Sequence, residues 1–239
     1  MKAVRIHSHG GPEVLHYEDA PRPIATEGEV LVRVHAAGVN PFDWRVRSGE
    51  IPKTSQLPMI LGWDVSGVVE EVGSGVTNFK VGDAVYALPN YRRQGAYAEY
   101  IAIDATEVAA KPTSLTHILA AAVPLAGLTA WQSLFDAAEL KPGQTVLIHG
   151  AAGGVGSFAV QFAKLKGAYA IATASARNQE FLRELGADKV IDYQATRFEE
   201  VVGDVDVILD LIGGETQERS WQVLKQGGIL LEFVPTCTP

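Results

Sequence analysis

Val146-Leu-Ile-His-Gly-Ala-Ala-Gly-Gly-Val-Gly-Ser157 is the stretch from which the fold is read. An apolar run enters the glycines, and a second one, Phe158-Ala-Val-Gln-Phe-Ala163, leaves them. The pattern predicts a buried strand, a tight turn and a helix over Gly154–Lys166. Within it, Ala151-x-Gly153-x-x-Gly156 is the dinucleotide fingerprint with alanine in place of its first glycine. Gly153 lets backbone approach a pyrophosphate with no Cβ in the way, and Gly156 lets the helix pack closely on the strand. The helix N-terminus offers free N–H groups and the positive end of its dipole to phosphate. Candidate cofactor contacts are therefore Ala152, Gly153, Gly154, Val155 and Gly156. The alternative is a tight turn with only a structural role.

Downstream, strands and helices alternate. Strands are expected at Thr145–His149, Tyr169–Thr173, Lys189–Ile191, Val205–Asp210 and Gly228–Val234, and helices at Asn178–Leu185 and Glu215–Leu224. Such alternation means βαβ units on a parallel, doubly wound sheet. NAD-binding chains of this kind usually end the second strand on a carboxylate that holds the ribose 2′-OH. Here it ends Ala172-Thr-Ala-Ser-Ala-Arg177, with two hydroxyls, Thr173 and Ser175, and a guanidinium. A carboxylate would repel a 2′-phosphate, whereas Arg177 can bind one through charge-assisted hydrogen bonds. The sequence thus favours NADP(H) over NAD(H). The alternative for Arg177 is a solvated residue in the first turn of a helix.

Upstream, the character differs. Val30-Leu-Val-Arg-Val-His35 alternates as a half-buried strand does. Val65–Val72 and Gly95–Ile103 read as further strands and Val81–Tyr86 as a turn leading into another, with a turn also at Gly73-Ser-Gly75. Short strands at this spacing suggest a compact β-barrel-like domain. The change comes near Pro112, so residues 1–112 and 113–239 are expected to be separate domains. Thr113-Ser114 reads as a helix cap, followed by two Ala-rich helices on either side of Pro124, a residue tolerated in a helix's first turn.

Composition narrows the class. The 239 residues include 47% apolar and 20% charged side chains, with a net charge of −8. An acidic globular chain is a poor partner for nucleic acid or an anionic membrane. A single cysteine, Cys237, permits no internal disulfide and no multi-cysteine zinc site. The N-terminus has no apolar signal core. The uncharged stretch Ile118–Phe135, broken by Pro124 and Gly127, reads as a buried helix pair rather than a membrane span. A cytoplasmic protein is expected.

Ala36-Ala-Gly-Val-Asn-Pro-Phe-Asp43, Gly62-Trp-Asp-Val-Ser-Gly67, Val81-Gly-Asp-Ala-Val85, Gly127-Leu-Thr-Ala-Trp131, the glycine-rich loop and Leu185-Gly-Ala-Asp-Lys-Val-Ile-Asp-Tyr193 occur in that order. Together they resemble the zinc-independent medium-chain dehydrogenases/reductases of the quinone oxidoreductase type, over nearly the whole chain. The resemblance implies an α/β protein with a GroES-like β-barrel domain, then a Rossmann domain, and an active site in the cleft between them. It also implies NADPH-dependent reduction of quinones or α,β-unsaturated carbonyls (enones). At positions where zinc-dependent members place metal ligands, this chain has Asn40, Trp63 and, near the third, Leu125. Asparagine cannot replace a thiolate, and tryptophan cannot coordinate, so no metal is expected. His7 and His9 are read as lying on a surface strand rather than as a ligand pair. A quinone or enone spreads the incoming hydride's charge onto a distant oxygen, which lessens the need for a Lewis acid.

By the same resemblance, Asn40 lies beside the nicotinamide and orients cofactor or substrate, and Thr129 contacts the carboxamide; the alternative for Thr129 is a hydroxyl bonded back to the preceding turn. Asp43 either positions or relays a proton, or caps a helix. Tyr193 flanks a 2′-phosphate or is a half-buried strand aromatic. Leu211, Ile212 and Gly213 follow the fourth strand, and Phe233 and Val234 the fifth, at the carboxyl edge where open α/β sheets bind ligands. Trp44 and Trp63 either wall an acceptor site or belong to the core.

The sequence stops just after the fifth Rossmann strand, where family members continue to a sixth. The apolar segment Gly228–Val234 would then be an unpaired edge, which favours a homodimer or aggregation and weaker catalysis. Two other readings stay open: an NADPH-binding protein with little or no turnover, and an enoyl-thioester reductase. Phe42 and Trp44 stand where the latter usually shows a tyrosine.

Overall fold

In the computed structural model, which describes residues 1–51 and 57–233, the period-two segments form antiparallel ladders and the apolar runs a parallel sheet. The chain divides into two compact units, residues 1–125 and 126–239. Among the described residues, no helix is long and apolar enough to cross a membrane.

The first unit is the GroES-like one. It contains β1 (Lys2–Ile6), β2 (Leu15–Asp19), β3 (Glu29–Gly38), α1 (Pro41–Ser48), β4 (Met59–Ile60), β5 (Asp64–Val72), β6 (Ala84–Ala87), β7 (Tyr100–Asp104), β8 (Val108–Ala110) and α2 (His117–Ala120). One sheet runs β2-β1-β4, the other β7-β3-β5-β6-β8. The long β3–β5 ladder shifts register twice, between Leu31 and Val32 and between Val34 and Ala36. Shifts of this kind bend a strand and increase its twist. Val30, Val32, Val65, Val69, Val85, Ile101 and Ile103 fill the core beneath the larger sheet. A second cluster gathers Ile6, Val46, Met59, Leu61 and Trp63.

Three local expectations are corrected here. The strand expected from Gly95 begins only at Tyr100. Gly95, Ala96 and Tyr97 instead donate to the carbonyls of Ile60, Gly62 and Leu61, an approach so close that a Cβ on Gly95 would lie 2.3 Å from the Leu61 oxygen. The helix after Pro112 is capped by Thr116, whose hydroxyl accepts from Leu119 N, because Thr113–Leu115 is taken up in a turn closed by Leu115 N on Pro112 O. β1 ends at Ile6, so His7 and His9 are not on a strand: His7 pairs with Glu18 at 2.8 Å, and His9 Nδ1 lies 3.1 Å from Val46 O. Because α2 packs on β3 and β5, the segment from 113 to 125 goes with the first unit.

The unit boundary falls inside α3 (Pro124–Trp131), which continues as a π-helix over Gln132–Ala137. The second unit then alternates β9 (Thr145–His149), α4 (Gly154–Lys166), β10 (Tyr169–Ala174), α5 (Gln179–Glu184), β11 (Lys189–Asp192), β12 (Val205–Asp210), α6 (Glu215–Ser220) and β13 (Leu224–Glu232). All four pairings in the sheet are parallel, and the order is β11-β10-β9-β12-β13. Strand order reverses between β9 and β12, which is the crevice position for ligands in doubly wound sheets. The helix expected to run to Leu224 stops at Ser220. A turn over Trp221–Val223 and the pairing of Leu224 with Val205 draw that residue into β13, with a register shift before Val207. β13 ends at Glu232, so Phe233 lies beyond it, and Val234 lies outside the described residues.

Small side chains let α4 settle on β9. Ala159, Val160 and Ala163 are fully buried against Val146 and Ile148. At Gly156, an added Cβ would lie 2.6 Å from both Ala151 Cα and the Gly150 oxygen. These are backbone atoms that cannot step aside. Gly156→Ala should therefore cost about 1–3 kcal/mol, the usual range for overpacking. Gly154→Ala, whose new Cβ would meet Ala126 only at 3.7 Å, should change stability by less than about 0.5 kcal/mol. Urea unfolding of the two variants measures the contrast; equal effects would refute this account of the helix–strand contact.

Candidate functional site

In the second unit, the first intrahelical bond of α4 runs from Ser157 N to Gly153 O. The N–H groups of Gly154, Val155 and Gly156 are left for a ligand, as at any helix start. Gly153 and Gly154 are exposed. A pocket of about 500 Å³ opens there, lined by Gly150, Ala152, Gly153, Thr173, Ser175, Arg177, Tyr193 and Ile212 among others. Seven of these eight were expected from sequence. Gly154, Val155, Gly156, Leu211 and Gly213 are their chain neighbours and not wall residues, while Thr129 and Phe233 are not on this wall. Thr129 is half-buried on α3, and it is the Ser133 hydroxyl that bonds back, to the Thr129 carbonyl. Tyr193 is exposed and lies just past the end of β11, so it is not a half-buried strand aromatic. Among the described residues, Arg177 has no ion-pair partner, so its guanidinium is available for an anion.

His149, Ala174, Asn178, Phe198, Thr216 and Arg219 complete the lining and were not anticipated. Arg219 is held by Glu199 at 3.3 Å, with its guanidinium 5.1 Å from the centre of the Phe198 ring. His149 is 1% exposed at the end of β9. Its Nδ1 lies 3.0 Å from Thr173 Oγ1 and its Nε2 3.1 Å from Ser220 Oγ. The Ser220 hydroxyl donates its proton to Thr216 O. Ser220 must then accept from Nε2–H, and Thr173 must donate to Nδ1. Burial pushes the His149 imidazole down to about 4, so it stays neutral. Asp210, opposite His149 in the ladder, accepts from Ile212 N and Gly213 N and so shapes the turn after β12. The available signal was a polar residue closing an otherwise apolar run, at His149 and again at Asp210.

In the first unit, Asn40 is the N-cap of α1. Its backbone N–H donates to Asp43 Oδ2 at 2.7 Å, and Tyr97 OH donates to the same oxygen at 2.7 Å. Asp43 is thus the third helical residue rather than the cap, and it ties the helix start to the segment before β7. It is 3% exposed, and burial raises its carboxyl; burial and Asp43 together raise the Tyr97 phenol. Asn40 Nδ2 donates to Asp64 Oδ2 at 2.8 Å, while Asp64 Oδ1 accepts from Leu125 N at 2.7 Å. Asp64 is 1% exposed, and burial pushes its carboxyl up to about 6. Asp64 and Tyr97 were not anticipated; the first heads a strand whose opening residues, Asp64 to Gly67, are all buried.

An apolar cavity of about 380 Å³ in the same unit is lined by Phe42, Trp63, Leu88, Pro89, Asn90, Tyr91, Glu107 and Leu125. Trp63 serves both expectations, since it is 1% exposed in the core cluster and also forms one wall. Trp44 is 45% exposed and lines neither pocket. A zinc ion does not fit the donors present. Asn40's amide is turned to Asp64, Trp63 is packed in the core, and Leu125 offers no side-chain donor. Among the described residues, no three His, Cys, Asp or Glu side chains could share a metal ion.

Residues 26–113 match the alcohol dehydrogenase GroES-like domain, and residues 154–233 match the family described as zinc-binding dehydrogenase. A 2-methylene-furan-3-one reductase from Solanum lycopersicum is 39% identical over 249 residues, covering 100% of this chain and 63% of the relative. The solved quinone oxidoreductase of Coxiella burnetii superposes with a TM-score of 0.91 at 40% identity, covering 100% of this chain and 76% of that one. A mycobacterial protein solved in complex with NADPH gives 0.87 at 35% identity, covering 100% and 75%. The chain spans less than two thirds of the length of several curated relatives it matches.

The His149 contacts make a spectroscopic prediction. Ring ¹⁵N shifts should report the neutral Nε2–H tautomer from about pH 8 down to about pH 5. Its depressed value relative to 6.5 means that folding favours the neutral ring. This stabilisation is full above pH 6.5 and is lost as pH falls toward 4. Imidazolium shifts at pH 6 would show that the contacts are misassigned.

Proposed function

The chain belongs to the medium-chain dehydrogenase/reductase superfamily, in its quinone oxidoreductase branch, and from that premise we propose that it takes part in NADPH-dependent reduction of a quinone or an α,β-unsaturated carbonyl. The single observation that supports this most is the open α4 N-terminus sharing a pocket with Arg177, which has no ion-pair partner among the described residues. NADPH, when bound, supplies the hydride. The N–H groups of Gly154, Val155 and Gly156 hold its pyrophosphate. Ser175, Arg177 and Tyr193 hold the 2′-phosphate, a role no carboxylate at the end of β10 opposes. Asn40, Asp43 and Thr129 are assigned to the nicotinamide and acceptor end, the first as a hydrogen-bonding group held in place by α1.

The acceptor's own conjugation disperses the charge delivered with the hydride, which suits a site whose donor set cannot hold zinc. The apolar cavity walled by Phe42, Trp63 and Tyr91 supports a planar, weakly polar acceptor. We also propose that two copies associate through β13, which pairs only with β12 among the described residues and displays Ile229 at its surface.

NADPH should bind at least about tenfold more tightly than NADH in a fluorescence titration. Arg177→Ala should cost about 1.5–3 kcal/mol for NADPH, the worth of a charged hydrogen bond, and little for NADH. Equal affinities for both cofactors would sink the 2′-phosphate assignment. NADPH consumption followed against quinones, enones, enoyl thioesters and alcohols tests the reaction; turnover confined to thioesters or alcohols would reject it. Light scattering on the eluting protein should give twice the chain mass, and a monomer across concentrations would remove the β13 proposal.

A further inference from the structure

An asparagine amide has two unlike ends of nearly equal size, and its role depends on which end faces the ligand. At Asn40 the choice is made from behind. Asp64 lies beneath it with both oxygens committed, Oδ1 to Leu125 N at 2.7 Å and Oδ2 to Asn40 Nδ2 at 2.8 Å. Leu125 N is a backbone donor near the start of α3 and can only donate. The Oδ1 side of the carboxylate must therefore remain an acceptor, and any proton taken up by Asp64 goes to Oδ2, the oxygen facing Asn40.

We propose that Asp64 is the positioning residue for Asn40: its ionised carboxylate draws Nδ2 inward, so that Asn40 presents its carbonyl Oδ1 to a bound ligand and meets a hydrogen-bond donor there. With a proton on Oδ2, the partner becomes a donor, and the favoured amide orientation reverses. Asn40 then presents its NH₂ instead. The function of Asn40 is set by the charge of a residue that no ligand touches. This inference rests on the reading that Asn40 faces cofactor or acceptor.

The surroundings place that charge change within reach. Burial raises the Asp64 carboxyl to about 6, and the Asp43 carboxylate on α1 adds to the rise. Tyr97, before β7, stays protonated because burial and Asp43 raise it. His117 on α2 is bonded to Ser66, two residues along β5, and stacks on His35 of β3 at 4.5 Å. Burial lowers His117, which keeps positive charge away from this face near neutral pH. α3 contributes only the backbone N–H of Leu125.

The substitution Asp64→Asn makes the same reversal permanent. Leu125 N requires the new amide to face it with oxygen, which leaves an NH₂ opposite Asn40. The test is the side-chain ¹⁵NH₂ signal of Asn40 in ligand-free protein labelled at asparagine, assigned by its loss in Asn40→Ser. In wild type it should shift with a midpoint near pH 6. In Asp64→Asn it should sit near the wild-type low-pH position at every pH. A wild-type signal that stays unmoved between pH 4.5 and 8 overturns the proposal, whether or not the variant folds. In turnover with NADPH and a quinone, kcat/KM should fall about tenfold from pH 7.5 to 5 in wild type, and should be low and flat in Asp64→Asn. If the NMR signal reverses while kcat/KM does not respond, the positioning by Asp64 stands, and the assignment of Asn40 to the ligand fails.

Discussion

The closeness of α4 to β9 at Gly156 is the constraint on which the second unit depends. With no side chain there, the helix begins directly over the end of the strand, and its unpaired N–H groups sit at the carboxyl edge of the sheet. The alanines at 159 and 163 continue the contact. Parallel pairing then brings the ends of three strands level. Ala172 lies opposite Ile148, and Asp210 opposite His149. Thr173, His149 and Asp210 thereby converge at the switch point, although they are far apart in the chain. The pocket wall is a consequence of register, and the register follows from burial of apolar strands on both faces.

Period and spacing made much of this legible. The limits of α4 can be read directly, because an apolar periodic run bounded by Gly153 and Gly167 has clear start and stop signals. The five-strand alternation was equally plain. What could not be read was set by distant partners. The pairing of Gly95–Tyr97 with Ile60–Gly62 is irregular and leaves no periodic trace. Leu224 looks helical until Val205 claims it for the sheet. Thr116 displaced Thr113 as the cap because Pro112 closes a turn first.

For the site, glycines and hydroxyls were visible, since their spacing is local. Asp64, Tyr97, Ser220 and Arg219 were not, since each acts through a residue remote in sequence. The two buried titratable centres respond to acid in opposite senses, each within its own unit. The folded state resists charging His149, so acid works against the second unit. It also resists ionising Asp64, so rising pH between about 4 and 6 works against the first. Both effects fall in the same window, so in the whole chain they oppose one another there.

Trp63 bears on how such a scaffold can change. Its indole is sealed among Ile6, Val46, Met59 and Leu61 and also walls the apolar cavity. Placing a histidine at that position, and a thiolate at position 40, would not by itself make a metal centre. The smaller imidazole would leave a void where the indole had been, and Asp64 would lose the amide that satisfies it. The core itself opposes such a change, and an engineer seeking zinc here would have to repack a domain before placing a ligand.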